Sequence, residues 1–294
     1  MSNFGKLLTA MVTPFHENRS VNYKAAAQLA EYLVSNGSDG VVVAGSTGES
    51  ATLSQEEKIK LFSTVLDAIG DKATVIAGTG SNDTQASIEL TLEAEKLGVH
   101  GSMLVGPYYN KPSQEGFYQH FRAIADSTGL PLIMYNVPGR TASNILPSTI
   151  VRLTEFKNIV AVKEASGSLD QASEILRTAP KGFLVYSGDD SLTLPMMAIG
   201  GTGVISVAGH AVGNQIQQMI QYFENGNVIK AREIHLTLMP FFKVIFVSTN
   251  PIPIKTVVNL LGINAGPLRL PLVQASNAEE EQIKSVMKEL GFVL

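Results

Sequence analysis

Residues 159–164 read Ile159-Val160-Ala161-Val162-Lys163-Glu164, an apolar, mostly β-branched run closed by two charges. A strand with one wet face alternates apolar and polar side chains. This run does not alternate, as expected of a parallel strand buried on both faces. Parallel neighbours need a crossover between them, usually a helix. The chain on either side supplies both parts. Leu132–Tyr135 lies upstream and Phe183–Ser187 downstream, and the same rhythm extends to Leu7–Thr13, Val41–Ala44, Thr74–Ala77, Ser102–Val105 and Val204–Val207. Helix signals fill the gaps. Ser54 with Glu57 forms a capping box ahead of Ile59, Phe62, Val65 and Leu66 at helical spacing. Asn82 or Asp83 can cap the next helix, which ends at Lys96 and Gly98.

Eight such strands in roughly 225 residues predict an α/β fold, a closed (β/α)8 TIM barrel. A doubly wound open sheet would normally carry a dinucleotide fingerprint or a phosphate-binding P-loop after an early strand, and neither motif occurs. A solenoid would repeat its sequence, and these units do not. Residues 1–225 are therefore read as the catalytic barrel and 226–294 as a C-terminal helical region. Its helices are expected near Asn227–Phe246, Pro253–Leu261 and Glu279–Leu290.

Of the 294 residues, 45% are hydrophobic and 16% charged, enough for a large buried core and unlike a disordered chain. The net charge of −4 gives no electrostatic reason to expect nucleic acid or an anionic membrane. With no cysteine there are no disulfides, thiolate metal sites or thiol nucleophiles. The apolar run Leu7–Val12 is too short for a signal-peptide core, and no stretch approaches the ~18 apolar residues of a membrane span. A cytoplasmic protein is expected. The five histidines, His16, His100, His120, His210 and His235, show no metal-ligand spacing, and no G-x-S-x-G elbow occurs. The loop Gly209–Gly213 holds no Lys or Arg, which disfavours a phosphorylated substrate.

A (β/α)8 barrel builds its active site at the C-terminal ends of its strands. Lys163 stands at one such end, behind four apolar residues. There it is either a desolvated amine with a lowered pKa, hence a nucleophile, or a strand-end lysine paired with Glu164. Gly45-Ser46-Thr47-Gly48 offers hydroxyls and backbone N–H groups to a carboxylate, or is an ordinary polar turn. Tyr135 can exchange protons beside Lys163 or simply pack. Tyr108 and Tyr109 can be interface aromatics. Arg140 can grip a carboxylate or form a surface ion pair. Asp189 and Asp190 read as a helix cap before Leu192. Lys255, in a Pro-rich run, is placed in the C-terminal helices, away from the strand ends.

In order along the chain stand Gly45-Ser46-Thr47-Gly48-Glu49, Pro107-Tyr108-Tyr109-Asn110, Tyr135-Asn136-Val137-Pro138-Gly139-Arg140-Thr141, Val162-Lys163-Glu164, Ser187-Gly188-Asp189-Asp190, Gly203-Val204-Ile205-Ser206-Val207 and Asn250-Pro251-Ile252-Pro253-Ile254-Lys255. This ordered set resembles the dihydrodipicolinate synthase / N-acetylneuraminate lyase family over nearly the whole chain. The resemblance implies that Lys163 forms a Schiff base with pyruvate and that the enamine attacks L-aspartate-4-semialdehyde, without metal or organic cofactor. It assigns a proton relay to Tyr135, Thr47 or Ser46, and Tyr109, the last reaching in from a neighbouring subunit of a homotetramer built as a dimer of dimers. Thr47 would also hold the pyruvate carboxylate and Arg140 the semialdehyde carboxylate, with Gly188 and Ile205 adding backbone contacts.

Ser46 stands where the synthases usually carry threonine, as in the lyases, whereas Arg140 is synthase-like. A sibling aldolase cleaving a sialic acid or another sugar-derived keto acid is therefore the alternative, and a non-catalytic keto-acid-binding barrel the remote one. Synthases inhibited by L-lysine bind it with His and Glu side chains at a dimer interface. The matching positions here are Gln55, Lys58 and Ala86, with Asn82 and Tyr108 retained, so weak or absent inhibition is expected.

Overall fold

The unbroken apolar runs become the staves of a barrel. The computed structural model describes residues 4–293. In it β1 (Leu7–Ala10), β2 (Gly40–Val43), β3 (Thr74–Gly78), β4 (Gly101–Val105), β5 (Leu132–Asn136), β6 (Ile159–Glu164), β7 (Leu184–Ser187) and β8 (Gly203–Ser206) pair in parallel, each with the next, and β8 closes on β1. Each expected strand is present. The first is shorter than expected, because Val12 gives its N–H to the His210 ring and not to a neighbouring strand.

Burial on both faces follows the two-residue period of a strand. Val42 points into the barrel with Leu8, Ile76, Met103, Ile133, Ala161, Tyr186 and Ile205, while Val41 and Val43 face the helices. Full burial of such a side chain contributes about 1.5–3 kcal/mol. The expected alternation of helices holds as well: α1 (Tyr23–Ser35), α2 (Gln55–Ile69), α3 (Thr84–Leu97), α4 (Gln114–Ser127), the short α5 (Pro138–Thr141) and α6 (Pro147–Leu153), α7 (Leu169–Thr178), α8 (Thr193–Ala198) and α9 (Gly209–Glu224). The Ser54–Glu57 capping box opens α2. Asp83 and not Asn82 caps α3, accepting from the N–H of Ala86, and Gly98 at φ 84° ends it.

Three more helices follow the barrel, α10 (Val228–Val244), α11 (Ile252–Leu260) and α12 (Asn277–Glu289). Among the described residues no helix is long and apolar enough to cross a membrane. The chain between α10 and α11 returns to the top of the barrel, which brings Asn250, and Lys255 in the first turn of α11, to the loop after β2.

Candidate active site

Lys163 ends the inward-facing series of β6 and is 4% exposed. Its neighbour Glu164 points the other way, by the same period. That carboxylate takes N–H groups from Asn136, Ser166 and Gln171, so Lys163 and Glu164 do not pair. Among the described residues the Lys163 amine makes no ion pair or hydrogen bond. Burial lowers its pKa from 10.5 to about 8, with the nearby Asp190 carboxylate opposing the shift and Arg140 adding to it. About a tenth of such an amine is unprotonated at pH 7, against well under a thousandth for an ordinary lysine, and the neutral amine is the form a Schiff base requires.

Tyr135 is the register partner of Lys163 on β5, and the lysine Nζ lies 4.4 Å from the tyrosine ring centroid. Burial pushes the phenol pKa up, while Arg140 and a hydrogen bond with the Ser46 side chain act in the opposite sense. Ser46 and Thr47 ride on a loop bracketed by two left-handed residues, Ala44 (φ 53°) and Glu49 (φ 55°). Its N–H groups at Gly48 and Glu49 turn back onto the carbonyls of Gly45 and Ser46. Those of Ser46 and Thr47 have no intramolecular acceptor among the described residues, which leaves two adjacent donors for an anion.

The chamber has two compartments. Lys163, Thr47 and Gly188 line one of about 180 Å³, and Gly80, Tyr108 and Leu272 are among those lining another of about 340 Å³. Ser46, Met103, Tyr135, Val137, Arg140 and Asn250 line both and so form the boundary. Arg140 Nη2 donates to the main-chain carbonyl of Asn250 at 2.9 Å, which holds the guanidinium at that boundary. A cation and an amine facing one small cavity suit a substrate carrying both a carboxylate and a carbonyl. Gly188 belongs there for a steric reason. A Cβ at that position would lie 2.5 Å from the Ala165 Cβ and 3.1 Å from the Lys163 Cε.

The family profile described as the Dihydrodipicolinate synthetase family matches residues 3–290. The chain belongs to this family. It is 58% identical to the 4-hydroxy-tetrahydrodipicolinate synthase of Moorella thermoacetica, over 99% of each chain. A lysine-bound dihydrodipicolinate synthase from Cyanidioschyzon merolae is 47% identical and superposes with a TM-score of 0.97 over 99% of each chain. A monomeric variant of dihydrodipicolinate synthase is 41% identical, with a TM-score of 0.96 over 99% of this chain and 98% of its own.

Of the residues assigned to the site from sequence, the fold gathers six at the strand ends. Lys163, Tyr135, Ser46, Thr47, Arg140 and Gly188 converge there. Tyr109 does not. It is 89% exposed, held at φ 72°, and lines neither compartment of its own chain. Ile205 is packed inside the barrel, and on its side of the chamber the wall is Val207.

Two sequence expectations need correction. Asp189 does act as a cap, accepting from Ser191, but Asp190 is buried and accepts from Ser206 and from the N–H groups of Val207 and Ala208. A barrel phosphate seat after β8 would use such N–H groups, and here a carboxylate of the protein occupies two of them. Lys255 is not remote from the strand ends. It is 1% exposed, and its Nζ donates to Glu49 at 2.7 Å and to the Thr13 carbonyl at 2.8 Å. Burial lowers its pKa to about 8 as well, against the pull of Glu49, but its three donor positions are largely spent. The sequence clue to Lys255 was the one that exposed Lys163, a charge set in an apolar run. Among the described residues no group of three or more His, Asp or Glu side chains is placed to hold a metal ion.

Proposed function

We propose that this chain condenses pyruvate with L-aspartate-4-semialdehyde to give 4-hydroxy-tetrahydrodipicolinate, the lyase-class reaction that feeds diaminopimelate and lysine synthesis. The observation that carries this reading is Lys163, a buried amine without an ion pair among the described residues, beside Tyr135 at the mouth of the barrel. Neutral Lys163 attacks the keto carbon of pyruvate. Loss of water gives the imine, whose nitrogen draws electrons from C3 once a proton leaves it. The enamine carbon then bonds to the aldehyde carbon, and cyclisation through the substrate's own amine releases Lys163. The iminium is the electron sink, so these steps call for no metal or organic cofactor.

Tyr135 is assigned the proton transfers, passed through Thr47 or Ser46. Thr47, with the N–H groups of the loop, seats the pyruvate carboxylate. Arg140, fixed at the boundary of the two compartments, takes the semialdehyde carboxylate. Gly188 leaves room beside Lys163, and the main chain of Ile205 on β8 is assigned a contact to the keto acid. Tyr109 completes the relay of a second protomer. Its exposure and its left-handed backbone, beside an Asn110 tied to the Asn82 carbonyl, support a ring presented outward to a partner in a homotetramer built as a dimer of dimers. Location in the cytoplasm goes with this reading.

A coupled assay with pyruvate and aspartate semialdehyde tests it. Turnover to the cyclic product is the expected result. Turnover only with sialic acids or sugar-derived keto acids would place the chain with the sibling aldolases, a reading that Ser46 alone favours.

A further inference from the structure

Both ends of the segment 250–255 hold the Gly45–Glu49 loop, although the two stretches lie about two hundred positions apart. At one end Lys255 pairs with Glu49. At the other, the Asn250 side-chain N–H donates to Thr47 Oγ1 at 3.0 Å, across 203 positions of sequence. Asn250 is 5% exposed and lines both compartments, and its Oδ1 is buried with no partner among the described residues. Its main-chain carbonyl holds Arg140. One buried residue therefore touches the two groups assigned to the two substrate carboxylates.

A hydroxyl has one hydrogen to give and two lone pairs to receive with. The Asn250 amide fills one of the Thr47 lone pairs, so the Thr47 hydrogen cannot be directed at Asn250. It stays available to the compartment that Thr47 shares with Lys163 and Tyr135. A carboxylate at position 250 would do the opposite, since it can only accept and would take that hydrogen. We propose that Asn250 is a positioning residue that fixes the direction of proton donation by Thr47, with the Lys255–Glu49 pair holding loop and segment together. The inference rests on the relay reading given above.

The test compares N250A, N250D, T47V and the double variant N250A/T47V in the full-length enzyme. Steady-state rates are measured beside the yield of pyruvyl adduct trapped by borohydride. The main-chain carbonyl that holds Arg140 survives in every variant. N250A should lower kcat about 10- to 100-fold, part of the worth of a positioned acid–base group, with trapped adduct and pyruvate KM little changed. N250D should be slower than N250A. Because Asn250 acts through Thr47, adding N250A to T47V should cost nothing further. Full activity of T47V would take Thr47 out of the relay and leave that part to Ser46, and the present inference would fall with it. A slow T47V beside an undiminished N250A would overturn this inference alone. Additive losses in the double variant, or an N250D as fast as N250A, would also overturn it.

Discussion

Tyr135 and Lys163 face each other as register partners on β5 and β6, with the lysine nitrogen 4.4 Å from the centre of the phenol ring. One position further along, Asn136 and Glu164 are partners on the outer face, joined through the Asn136 amide. The outer pair fastens the two strand ends whose inner residues meet in the chamber. A buried carboxylate satisfied by several N–H donors is a rigid anchor, because any slip leaves it desolvated and unpaired. The lysine that this arrangement presents is the one that should carry substrate. Borohydride reduction in the presence of pyruvate is expected to leave a pyruvyl adduct on Lys163, found by peptide mass spectrometry, and none in K163A. Lys255, equally buried but engaged by Glu49 and Thr13, should stay unmodified. An adduct on Lys255 in K163A would transfer the nucleophile's role to it.

The rate of imine trapping should depend on pH in a stated direction. Only the neutral amine attacks, and burial brings the Lys163 pKa from 10.5 to about 8. Trapping should therefore accelerate as pH rises through about 8 and level off above it. An inflection near 10.5 would mean that the amine is not desolvated in the free enzyme.

The Glu49–Lys255 pair has both side chains almost wholly buried, at 1% and 2% exposure. Removing one partner strands the other charge, so K255M and E49Q should each destabilise the fold by about 3–5 kcal/mol in urea titrations. The double variant should lose less than the two single losses added together. Strict additivity would show that the pair is not coupled.

The barrel could be read from sequence because a strand buried on both faces has no room for alternation, and eight such runs recur. Lys163 stood out for a related reason: a charge ending an apolar strand is costly unless it has a use. Which polar groups serve that lysine was not legible. Asn250 meets Thr47 across 203 positions and Lys255 meets Glu49 across 206, and no local pattern encodes those distances. Asp190 was read as a cap because a capping aspartate and an internal anion look alike until the N–H groups of β8 are in place. Tyr109 shows the other limit. Its ring is exposed and lines neither compartment, and no local sequence pattern separates such an aromatic from one that packs inward.

L-lysine should inhibit this enzyme weakly or not at all. Ligand lysine carries an ammonium, which a carboxylate at or beside positions 55, 58 and 86 would have to meet. Ala86, in the first turn of α3, offers none, and Lys58 on α2 adds a like charge, one that burial already makes costly to hold. Three carboxylates lie close enough in sequence to substitute, and the structure shows each of them engaged. Glu49 is bound to Lys255 and to the N–H of Arg269, Glu57 to the Arg269 guanidinium and the Ser54 N–H, and Glu56 to the Ser54 hydroxyl. Releasing Glu49 or Glu57 for a ligand would break a buried or half-buried ion pair. Glu56 is held by one exposed hydrogen bond and is the only inexpensive candidate among them. Initial rates at millimolar L-lysine should therefore match those without it. Strong inhibition in the sub-millimolar range would point to Glu56, and loss of that inhibition in E56Q would identify it as the replacement carboxylate.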